Sequence, residues 1–117
     1  MEIKALKGDY GWEARNLIPA PELGAGKYIM FLTMKRYSGA FASTAQVVSL
    51  ENGCPTFSMF GDYRKGVIVK MNARATQKAV NEQQAAAVAM LPQVLEDAKA
   101  FYAKQAAEGP FSVIAGA

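Results

Sequence analysis

"KYIMFLTMKRY", residues 27–37, decides the fold. Side chains along a strand alternate between the two faces of a sheet, so Tyr28, Met30, Leu32 and Met34 form one row. Lys27, Ile29, Phe31, Thr33, Lys35 and Tyr37 form the other. The even row reads as a core face. The odd row interleaves two lysines with large apolar and aromatic residues, so this strand is apolar on both faces and both must be covered or occupied.

The flanking sequence supplies more strands of the same kind. "KGDYG" separates a short leading strand at Ile3 and Ala5 from "YGWEARNLI", and "PAPELGAG" is a loop. "YSGA" and "ENGCP" carry glycine where a positive φ is cheap. "DYRKG" reads as a hairpin end with Gly66 in the left-handed conformation, and "TFSMFGDYRKGVIVKM" is again polar on neither face. Residues 1–71 therefore read as an antiparallel meander of four to five strands.

After Asn72 the chain turns to Ala, Gln, Glu and Lys, all strong helix formers, and no glycine interrupts until Gly109. Val80, Gln84, Ala87, Val88, Leu91, Val94, Leu95, Ala98, Phe101 and Tyr102 recur at spacings of three and four, one stripe of a helix over 72–108. Pro92 lacks a backbone donor and crowds the Val88 carbonyl, which predicts a kink or a restart near Leu91. Residues 109–117 form an apolar tail. The fold class is α+β in a single domain, 1–117: an antiparallel sheet followed by a long C-terminal helix.

One helix covers one face of a sheet, so the second face must meet a curled-round sheet, a second subunit or a ligand. Single-stranded nucleic acid suits a face where bases stack on exposed rings and cations neutralise phosphates. Lys27, Phe31, Lys35 and Tyr37 on the odd row, with Arg64 and Lys65 at the basic turn, are the candidate contacts for single-stranded DNA or RNA. The alternative is a structural or regulatory protein–protein interaction domain, a homo-oligomer or accessory subunit, whose second face is buried by protein. A homodimer is compatible with both, because the Ala-rich helix permits close approach and outreaches the strands.

Charge and inventory narrow the chemistry. The net charge is +3, and residues 1–74 hold ten Lys and Arg against six Asp and Glu. That asymmetry suits a polyanionic partner without the density of a duplex-DNA binder. The chain contains no His, which removes zinc sites and histidine-based triads. "GAGK" at 24–27 fails as a phosphate loop, with Pro21 and Tyr28 at positions that need Gly and Ser or Thr. The reading is a non-enzyme without cofactors. The single Cys54, the charged start and the lack of an uncharged run long enough for a membrane span place it in the cytoplasm.

The order of several antiparallel strands followed by one long helix, over residues 9–107, resembles the whirly-type single-strand DNA-binding fold. That resemblance implies exposed sheets and helices that support a dimer.

Overall fold

The computed structural model describes residues 2–9, 11–36, 39–58, 61–71 and 73–108. Six antiparallel strands are followed by two helices: β1 (Leu6–Gly8), β2 (Gly11–Pro19), β3 (Lys27–Lys35), β4 (Ala40–Glu51), β5 (Cys54–Thr56), β6 (Arg64–Met71), α1 (Gln77–Val88) and α2 (Leu91–Glu108). The α+β meander read from the sequence is the observed architecture. β1 to β4 follow one another across the sheet, and β4 is long enough for β5 and β6 to share its other edge.

Turn chemistry fixes these registers. Glu51 pairs with Cys54 across the two-residue loop Asn52-Gly53, both with positive φ (50° and 79°), the geometry that matches strand twist in a tight hairpin. Gly39 likewise has a φ of 86° just before β4. Gly66 departs from expectation. It is no hairpin tip but a residue of β6, opposite Thr44, outside the left-handed region. Ser43 pairs with Ile68 and Thr44 with Gly66, which leaves Val67 as the extra residue of a β-bulge. The bulge inverts the alternation that a uniform strand over 57–71 would have.

The helical stripe is split where proline requires. The Thr76 hydroxyl caps α1 by accepting from the Ala79 N–H at 3.1 Å. α1 ends at Val88, and the Val94 N–H donates to the Met90 carbonyl to open α2. Pro92 thus occupies the first turn of α2, where its missing N–H deprives the helix of nothing.

The helices cover the odd face of β3, a correction to the reading of the even row as the core. Ile29 and Phe31 are fully buried with Ile18, Ala45 and Val47 beneath Ala87, Val94 and Ala98. A second cluster joins Ala5, Ala14, Phe41 and Val80. Between the two lies a buried polar chain. Gln83 Nε2 donates to Ser43 Oγ at 3.0 Å, and Ser43 Oγ and Thr33 Oγ1 are 2.6 Å apart. The Thr33 hydroxyl donates to Gln84 Oε1 at 2.6 Å, so the Ser43 hydroxyl must donate to Thr33. Gln84 Nε2 then donates to the Phe31 carbonyl and to Asn16 Oδ1. Gln83 Nε2 also donates to the Phe41 carbonyl at 3.3 Å, while Gln83 Oε1 is buried without a partner; the bonds this chain does make fix the seat of α1 on the sheet.

Candidate functional site

The even row of β3 is the face left open. Register carries it sideways: Met34, Leu32, Met30 and Tyr28 stand beside Glu13, Arg15, Leu17 and Pro19 of β2 and beside Ala42, Thr44, Gln46 and Val48 of β4. Val69 and Met71, opposite Ala42 and Ala40, extend the face onto β6, and Arg64 stands opposite Gln46. Leu17 is 38% exposed, Val69 58% and Met71 64%; Tyr28, Met30, Leu32, Met34 and Thr44 are half-buried, and Ala42, Gln46 and Val48 are buried in the concave wall. The sheet is curled into a half-barrel. Arg15, Asn16, Leu17 and Met30 line a cavity of about 360 Å³ together with Pro55, although β3 and β4 separate β2 from β5 in the sheet. The charges of the open face stand at its two flanks, Arg15, paired with Glu13 at 3.1 Å, on β2 and Arg64 on β6, with Met30 and Leu32 of β3 and Thr44 and Gln46 of β4 between them.

Of the six residues expected to bind nucleic acid, the five that are described do not come together as a track. Phe31 is fully buried under the helices, so its ring offers no stacking surface. Lys27 and Lys35 leave the same covered face at opposite ends of β3, Lys27 donating to Ser49 Oγ at 3.0 Å. Lys65 lies on the helix side and pairs with Asp97 of α2 at 3.3 Å. Arg64 stands on the open side, and Tyr37 lies outside the described residues. The basic turn of the sequence is therefore divided between two faces.

A polar cluster holds the segment before β6 to α2. The Tyr102 hydroxyl donates to Asp62 Oδ1 at 2.9 Å and accepts from the Tyr63 N–H at 3.1 Å. Gln105 Nε2 donates to the Gly61 carbonyl. Burial pushes the Tyr102 hydroxyl up to about 12, with the Tyr63 N–H opposing the shift and Asp62 adding to it. Burial also raises Tyr63, and the charge of Asp97 adds to the rise. The Asp97 carboxyl is held below its ordinary range by hydrogen bonds from Gln93 and then Lys65. These groups tie a loop to a helix; they do not converge on a space that a substrate would fill. Among the described residues no group of three or more acidic or thiol side chains is placed to hold a metal ion, and no helix is long and apolar enough to cross a membrane.

The open face combines residues that sequence reasoning placed in the core with Leu17, Val69 and Met71, which it did not join to them. The missing signal was the identity of the covered row. Comparison with family models, with curated proteins and with solved structures finds no match to this chain.

Proposed function

We propose that this chain is a non-catalytic protein–protein interaction domain that assembles through the open face of its half-barrel. The observation that carries the reading is the apolar surface running from Leu17 across Met30, Leu32 and Met34 to Val69 and Met71, with no element of the described chain over it. Contiguous apolar patches of this extent on a folded domain mark contact surfaces, because burying each such side chain is worth about 1.5–3 kcal/mol. Apolar centre and charged flanks are the arrangement of a protein interface. Of the described cations expected to meet nucleic acid, Lys27, Lys35 and Lys65 leave from the helix side and Arg64 from the open face, which favours protein over nucleic acid as the partner.

Two titrations test the reading. A hydrophobic dye such as bis-ANS is expected to bind the folded chain when it is dilute enough to be monomeric, and Leu32→Glu is expected to abolish that binding while the far-ultraviolet spectrum is kept. A labelled single-stranded oligonucleotide is expected to stay free at low and at moderate salt. Salt-sensitive binding of the oligonucleotide, or no dye binding by the monomeric chain, overturns the reading.

A further inference from the structure

We infer that the partner of the open face is a second copy of this chain, the two half-barrels closing on one another with their helices outside. The inference rests on the interaction-domain reading and names its partner.

Three observations select this occupant. The first is area. The face spans β2, β3, β4 and β6 over about eight residues, which at strand spacings near 4.8 Å and 3.3 Å per residue is about 500 Å² in plan. Two copies would cover about 1,000 Å² in all, the small end of specific interfaces and the range of an association that responds to concentration. The second is charge. Glu13, Arg15 and Arg64 leave the face with one excess positive charge, and Glu13 is already engaged by Arg15. Such a face has no strong field to select an oppositely charged partner, and two copies meet without serious repulsion. Its centre, Met30 and Leu32, is complementary to itself: an apolar row against the same apolar row, as an isologous contact requires.

The third is what the edge of the sheet forbids. The outer edge of β6 pairs with no strand among the described residues, so it is a possible route to association. It is guarded along its length by the bulge at Val67 and by Lys65 and Lys70 on either side of Val67, Ile68 and Val69. Bulges and lysines are the devices by which edges refuse to pair. The open face carries no such device on β3, whose four residues there are Tyr28, Met30, Leu32 and Met34. Association is directed away from the edge and onto the face.

The test is sedimentation velocity of the full chain from about 1 to 100 µM, with the same series for Leu32→Glu and for a chain lacking residues 109–117. The native chain is expected to reach twice its 12.6 kDa mass. Leu32→Glu places a carboxylate at the centre twice per dimer and is expected to weaken association by about 100-fold or more. Removal of 109–117 is expected to leave the dimer intact. Peroxide oxidation of Met30 and Met34 in the native chain, read by mass spectrometry, keeps the test independent of whether the variant folds: both should become protected as the protein is concentrated. A monomer throughout, a dimer indifferent to Leu32→Glu, methionines oxidised equally at every concentration, or a dimer lost with residues 109–117 overturns the inference. A monomer that still binds bis-ANS through Leu32 removes only the second copy as partner; salt-sensitive oligonucleotide binding removes the interaction-domain reading as well.

Discussion

The buried chain from Gln83 to Gln84 predicts a non-additivity that simple packing would not produce. Thr33→Val keeps the shape of the side chain but strands Gln84 Oε1 and the Ser43 hydroxyl, which lose their bonds to Thr33 Oγ1. A buried group left without a partner costs about 1–3 kcal/mol, so a loss of about 2 kcal/mol is expected. Gln84→Met keeps the length but removes the bonds to Thr33, the Phe31 carbonyl and Asn16, and a loss of about 3 kcal/mol is expected. The double variant removes both ends of the Thr33–Gln84 bond at once, while Ser43, the Phe31 carbonyl and Asn16 remain without these partners. It should cost about 4 kcal/mol instead of about 5, a coupling of about 1 kcal/mol. Urea unfolding reads this directly: with a slope of about 2 kcal/mol per M, Thr33→Val moves the midpoint down by about 1 M, and the double variant lies about 0.5 M below Gln84→Met. Additive losses, with coupling under about 0.5 kcal/mol, would refute the hydrogen-bonded seating of α1.

Three further outcomes are expected. Pro92→Ala should change stability by less than about 0.5 kcal/mol in thermal or urea unfolding, because Pro92 sits in the first turn of α2; a gain near 3 kcal/mol would show a proline inside one continuous helix. Gly53→Ala places a side chain at a φ of 79° and should cost about 1 kcal/mol, read by the same unfolding curves, whereas Gly66→Ala, outside the left-handed region and meeting Val69 only at an ordinary contact distance of 3.6 Å, should cost less. Tyr102 ionises near 12 in the folded chain and near 10 in an unfolded one, so its contribution is complete below pH 10 and is lost as pH rises from there through 12. Absorbance at 295 nm should show a tyrosine titrating near 12 that disappears in Tyr102→Phe, and the fall in stability across that window should shrink with it.

The order of elements was legible because it rests on local chemistry. The Asn52-Gly53 hairpin, the glycine before β4 and the restart at Pro92 each follow from what a few adjacent residues permit, and the stripe from Val80 to Tyr102 follows from helical spacing. The covered face of β3 was not legible, because both of its rows are apolar. The uncharged polar residue on the odd row, Thr33, argues locally for exposure, yet Ser43 and Gln84, distant in sequence, satisfy it inside. Lys27 and Lys35 made the odd row read as an exposed one for a related reason: at strand ends a long side chain reaches water from a covered face. Arg64 and Lys65 part by ordinary alternation because the segment is strand and not a hairpin tip, whereas the bulge at Val67, set by pairing with β4, exchanges their faces relative to Val69 and Lys70 in a way no period-two pattern announces. Tyr37 and the apolar tail 109–117 lie outside the described residues.

The central claim is that the sheet is covered on one face only, and neighbouring residues of β4 test it most directly. Thr44 stands on the open face with Leu32, and Ala45 on the helix face with Phe31. With the exposed Cys54 replaced by serine, Thr44→Cys and Ala45→Cys each present one thiol to Ellman's reagent in dilute native protein. Cys at 44 should react within the time of mixing and Cys at 45 only on unfolding; the reverse order, or equal protection of both, would contradict an open face on this half-barrel.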